Sequence, residues 1–95
     1  MDINKKILGI QHSAGEFNGR SYNNYVVFIG YEFPDDNDVN QGIGLIFTDR
    51  VKINSEQFAK LLERYDFISA FDFIGSEVDE VFYNQYRQAV SFVLL

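Results

Sequence analysis

Cysteine is absent, so neither a disulfide nor a thiolate-bound metal can staple this chain. Histidine occurs once, at His12, and no second imidazole exists to complete a ligand set with it. No apolar run approaches the roughly 20 residues of a membrane span. Residues 1–6 are charged but no apolar signal region follows them. The expectation is a cytoplasmic protein with no membrane contact. Basic residues are also scarce, with 8 Lys and Arg against 14 Asp and Glu and a net charge of −6. That balance argues against broad non-specific binding to a nucleic-acid backbone, which needs clustered cations. A local field over one face is still open to it, and an acidic domain suits a basic protein partner.

What is present is apolar and aromatic. Ninety-five residues, 46% of them hydrophobic with a single proline, make one domain over 1–95 able to bury a core. Ten Phe suit that core, whereas six Tyr exceed what a small core needs, since each buried hydroxyl must find a partner. The densest stretch is residues 15–33, GEFNGRSYNNYVVFIGYEF. Gly15 and Gly19 predict a reversal, and residues 22–33 predict the longest strand. Tyr25, Val27, Ile29, Tyr31 and Phe33 form one apolar face, while Val26 and Phe28 keep the other partly apolar. Such a strand is central in a barrel or carries a binding face.

Strands are also predicted over residues 5–13, 43–53, 76–83 and 88–95. Gly9 in the first suggests a bulge or a close backbone approach. In the third, Leu45, Phe47, Val51 and Ile53 alternate with Thr48, Arg50 and Lys52. Asn54 with Gln57 reads as a capping box, followed by Phe58, Leu61, Leu62 and Tyr65 on one helical stripe. Ser69 and Gly75 bracket a second short helical turn. The order of three strands, helix and two strands is that of a five-stranded OB-like Greek-key barrel, α+β but mostly β. An SH3-like barrel or an open α+β sheet gives similar patterns.

No chemistry-bearing motif stands out. There is no nucleophile elbow, and Gly15 and Gly19 are followed by Arg-Ser and a strand where a phosphate loop needs Lys and a helix. Asp36, Asp38 and Asn40 have the spacing of a calcium loop, but Gly42 comes one place late and Phe47 stands where a glutamate is needed. The paired acids Asp35/Asp36 and Asp79/Glu80 lie in polar stretches. The expectation is a protein that is not an enzyme and carries no cofactor or metal.

Binding fits better. In a barrel of this order, the loop after the first strand carries Phe17, Arg20 and Tyr22, and the last loop carries Tyr83, Tyr86 and Arg87. Arg50 and Lys52 extend the same face. Aromatic rings interleaved with cations suit single-stranded nucleic acid, because every base has a π-face and Arg can serve the phosphate. The plain reading is that these rings seal the barrel ends.

Gly15-Glu16-Phe17-Asn18-Gly19-Arg20-Ser21-Tyr22, with the long strand after it, resembles the Gly-x-x-x-Gly-basic-x-Tyr turn of small single-stranded-DNA-binding proteins. These are carried by filamentous phages and by plasmids or integrative elements of Gram-positive bacteria. Ile74-Gly75 and Tyr83-Asn84-Gln85-Tyr86 are similar in style only. The resemblance implies an OB-like fold, often a homodimer, that coats single strands, with Phe17, Arg20 and Tyr22 as binding residues. Acidity departs from that pattern. The rival expectation is an inhibitor of the anti-CRISPR or anti-restriction type, whose carboxylates fill the basic channel of a nuclease. Its contacts would be Glu32, Asp35, Asp36 and Asp38, with Glu77, Asp79 and Glu80.

Overall fold

The computed structural model describes residues 4–33 and 44–95, which form a mostly β protein with one α-helix. The strands are β1 (Lys6–Phe17), β2 (Arg20–Glu32), β3 (Leu45–Asn54), β4 (Val78–Tyr83) and β5 (Ala89–Leu94). Helix α1 (Ser55–Arg64) and a short 3₁₀ turn (Ala70–Phe73) lie between β3 and β4. All five strands and the helix occur in the expected order.

The barrel does not close. β1, β2 and β3 make one antiparallel sheet, and β4 and β5 make a second. β5 lies alongside β3 without a hydrogen-bonded ladder between them. The sheets are joined at the start of β1, where Ile7 N–H donates to Ser76 O at 3.0 Å and Val78 N–H to Lys5 O at 2.8 Å. Gly75, with φ at +84°, turns the chain into this junction and donates to Ile7 O at 2.9 Å. Only the first residues of β1 are paired in this way, through an isolated antiparallel bridge between Lys6 and Glu77.

The reversal between β1 and β2 is tighter than the two glycines suggest. Phe17 pairs directly with Arg20, and Asn18 and Gly19 turn the chain with φ of 53° and 77°. Positive φ at both positions is the two-residue turn that matches strand twist, and Asn-Gly favours it. The strands therefore run to the hairpin tip, and Gly15 belongs to β1.

Residues facing each other across a ladder share a side of the sheet. Ile7, Val27, Ile29, Val51 and Ile53 point inward and are buried, together with Phe58, Phe73, Val78, Phe92 and Leu94. Val27 opposite Val51, and Ile10 opposite Val27, continue this layer across the strands. The helix is fixed where predicted. Asn54 Oδ1 accepts from Gln57 N–H at 2.8 Å and Gln57 Oε1 accepts from Asn54 N–H at 3.0 Å. Phe58 enters the core and stacks on Tyr25 at 3.8 Å between ring centroids, while Tyr25 also stacks on His12 at 4.4 Å. One tyrosine hydroxyl has a structural partner here: Tyr65 accepts from Leu94 N–H at 3.1 Å and anchors the end of β5.

Two bulges set what faces out. One lies at Leu8 on β1, beside Gly9 as expected; the other lies at Thr48 on β3. Because Thr48 is an extra residue, Asp49 pairs with Ile29 and turns inward, whereas Phe47 pairs with Gly30 and turns outward. The expected face Leu45, Phe47, Val51 and Ile53 is therefore split, and Phe47 is 54% exposed.

Candidate nucleic-acid interface

The outer side of the three-stranded sheet carries the aromatic and cationic residues. By register, Phe17, Arg20, Tyr22, Asn24, Val26 and Phe28 share this side with Arg50 and Lys52. Phe28 stands opposite Arg50, and Val26 stands opposite Lys52. Cations and apolar side chains thus alternate across strands and not only along them.

Two open depressions lie on this face. The first, of about 620 Å³, is lined by Phe17, Tyr22, Asn24, Val26, Arg50 and Lys52, with Gln11 and Ser13. The Tyr22 ring reaches over Gly15 on β1, which has no side chain to block it. A Cβ at that position would stand 2.8 Å from the Tyr22 hydroxyl oxygen and 3.0 Å from Cζ. The second depression, of about 660 Å³, is lined by Leu8, Phe28, Phe47, Thr48, Asp49 and Arg50, closed on one side by Tyr83, Arg87 and Ala89. Phe28 and Phe47 meet there at a tilt, their centroids 5.8 Å apart.

The loop between β4 and β5 is held by one side chain. Asn84 Oδ1 accepts from Tyr86 N–H at 2.9 Å and from Gln88 N–H at 3.0 Å. That local turn leaves Arg87 at φ +62° and brings it to the mouth of the second depression. Tyr86 lines neither depression and is 73% exposed. Of the sequence-predicted residues, Phe17, Tyr22, Arg50 and Lys52 line one hollow, and Tyr83 and Arg87 join Arg50 in the other. Arg20 shares the face at the hairpin tip, beside Phe17. The rings are exposed rather than sealed in a barrel end, Phe17 by 71% and Tyr83 by 50%.

Tyr83 owes its position to Asp49. Asp49 is the one charged residue in the buried set, and its carboxylate meets Lys5 Nζ at 2.8 Å, the Thr48 hydroxyl at 2.8 Å and the Tyr83 hydroxyl. Burial alone would raise its pKa, but the hydrogen bonds from Lys5, Tyr83 and Thr48 outweigh that and hold it below the ordinary 3.8. The Asp49 hydrogen bond raises Lys5 above 10.5 against the opposing effect of burial. The same carboxylate raises Tyr83 above 10.0. A folded pKa below the unfolded one stabilises the protein above the unfolded value and ceases to do so as pH falls through the folded value. Asp49 therefore contributes stability that is lost at acid pH, below about pH 4. Lys5 and Tyr83, both raised, contribute stability present below about pH 10 and lost above it. Urea titrations across pH should show the Asp49→Asn protein with a flatter acid limb than the parent; matching limbs would contradict the cluster.

Among the described residues Asp49 is the only carboxylate lining either depression, and it is neutralised by Lys5. Among the described residues, the ion pairs are Lys5–Asp49 and Lys60–Glu56. Neither uses a cation of the outer face. The acidic side chains of β4 lie elsewhere: Asp79 and Glu80 line a separate hollow of about 330 Å³ with Asn4, Lys5 and Tyr83. Glu77 accepts from Asn4 Nδ2 at 3.5 Å, and Glu32 is exposed at the end of β2. Asp35, Asp36 and Asp38, with the candidate calcium spacing, lie outside the described residues. His12 stacks on Tyr25 and lies 2.5 Å from Asn23 Oδ1. Among the described residues no group of His, Asp and Glu is arranged to hold a metal. Among the described residues no helix is long and apolar enough to cross a membrane.

No family model, curated protein or solved structure matches this chain. The case for a function therefore rests on the residues themselves.

Two contributors escaped the sequence reading. Phe28 reads as an outward apolar residue on β2, with nothing in its neighbours to mark it for the site. Alternation places Phe47 on the inner face, because the Thr48 bulge has no period-two signature.

Proposed function

We propose that the outer face of the three-stranded sheet binds single-stranded nucleic acid, in an open OB-like arrangement of the five strands. One observation carries the reading: exposed rings and cations share a single face whose hollows, among the described residues, have no unpaired carboxylate lining them. Net charge then matters little, because the strand senses the local field and surface charges beyond about 10 Å are screened at 0.1 M salt. Stacking on Tyr22 and Phe17 is indifferent to base identity, so the binding is expected to be weakly sequence-selective.

The test is a titration of intrinsic tyrosine fluorescence with unstructured oligothymidylate at two salt concentrations. If Arg20, Arg50, Lys52 and Arg87 all engage phosphate, the slope of log K against log salt should be about −3, at roughly −0.7 for each phosphate neutralised on a single strand. Tyr22→Ala should weaken binding by about 1–3 kcal/mol. Arg20→Ala should weaken binding and reduce the slope by about 0.7. Absence of any salt-dependent shift, together with capture of a basic nuclease sensitive to changes at Glu77, Asp79 and Glu80, would replace this reading with that of an acidic inhibitor.

A further inference from the structure

Arg50 lines both depressions, and no other residue does. It stands on β3 opposite Phe28, with Lys52 and Val26 on one side and Phe47 and Gly30 on the other. The two hollows differ. The one around Tyr22 is bounded only by strands and presents the ring that reaches over Gly15. The one around Phe28 and Phe47 is bounded on its far side by Tyr83 and Arg87, which the Asp49 and Asn84 hydrogen bonds hold in place.

Resting on the nucleic-acid reading, we infer that the face is a two-base clamp with Arg50 as the phosphate ligand between its halves. One base stacks on Tyr22. A later base in the same strand enters the cleft between Phe47 and the Tyr83–Arg87 loop. The backbone between them crosses Arg50, whose planar guanidinium donates to two phosphate oxygens at once. Arg87 at the far mouth takes the next phosphate. Along β2, Tyr22 and Phe28 are six residues apart, which on a strand is about 20 Å. The clamp is therefore longer than one nucleotide and matches the lower end of strand-binding sites on small barrels, about 4 nucleotides.

The experiment titrates oligothymidylates of increasing length against the parent protein and against Tyr22→Ala, Phe47→Ala, Arg50→Ala, Arg50→Lys and Lys52→Ala. Phe47 and Arg50 are exposed, so their removal should leave the thermal midpoint in place, and that is measured alongside. The clamp predicts a steep gain in affinity as length reaches about 4 nucleotides. On the tetranucleotide, Tyr22→Ala and Phe47→Ala should each weaken binding by about 5- to 150-fold. Arg50→Ala should weaken it more than Lys52→Ala, and Arg50→Lys should restore only part of the loss. A parent that binds no oligonucleotide overturns the nucleic-acid reading itself. A parent that binds while Phe47→Ala is silent, or while Arg50→Ala and Lys52→Ala are equivalent, overturns the clamp and leaves the outer face intact.

Discussion

Gly30→Ala is expected to destabilise the protein by about 3 kcal/mol, the upper part of the range for forcing extra atoms into a packed site. Gly30 is buried at the β2 side of the Thr48 bulge. A Cβ there would stand 2.0 Å from Ile46 O and 2.7 Å from Leu8 Cδ1. Leu8 can rotate, but Ile46 O belongs to the backbone and can retreat only if β3 moves away from β2. The bulge would have to open, and with it the inward turn of Asp49. In a domain of this size such a loss lowers the thermal midpoint by on the order of 10–20 °C. An unchanged midpoint would mean that β2 and β3 do not approach in this way. The glycine is required for closeness alone, since it is not among the residues with positive φ.

The second large effect is expected at Phe73, on the short turn between α1 and β4. Phe73→Ala should cost about 3–5 kcal/mol, as truncations of buried Phe do. Phe73 is 1% exposed and packs edge-on against Phe67 at 4.7 Å and at a tilt against Phe58 at 5.5 Å. It therefore joins the helix, through Phe58, to the segment that leads into the sheet junction at Gly75. Against a total stability of about 5–15 kcal/mol, the variant should be largely unfolded in modest urea. A loss below about 1 kcal/mol would show that this segment is not part of the core. Phe73→Leu, which leaves less empty volume, should fall between the two.

These two residues were unequally visible beforehand. Phe73 sits between Ser69 and Gly75, and that cap-to-glycine spacing predicts a helical turn, although it does not say that Phe73 is buried while Phe71 is 86% exposed. Gly30 reads simply as a break in an apolar strand, and nothing near it in sequence announces the carbonyl of Ile46. The same division runs through the candidate site. Arg50 and Lys52 were legible as outward neighbours because they lie two apart on one strand. Tyr22, Phe17 and Arg20 were legible from the turn they flank, although the turn itself is the Asn18-Gly19 pair. Gly15 proves to be a platform for the Tyr22 ring and not part of the reversal. Asp49 was invisible as a buried acid, because its partners Lys5 and Tyr83 lie 44 and 34 residues away.

What the amino-acid order determined by itself was the set of elements: the strands, the capped helix, the Asn84 turn and which residues alternate along each strand. These depend on groups a few residues apart, whose geometry the backbone dictates directly. Tertiary structure alone decided that the strands would form two sheets instead of a closed barrel, that Thr48 would bulge, and that Arg50 would lie between two hollows. Each of those outcomes is set by contacts between distant segments, where packing volume and hydrogen-bond partners are supplied by parts of the chain that no local pattern can anticipate.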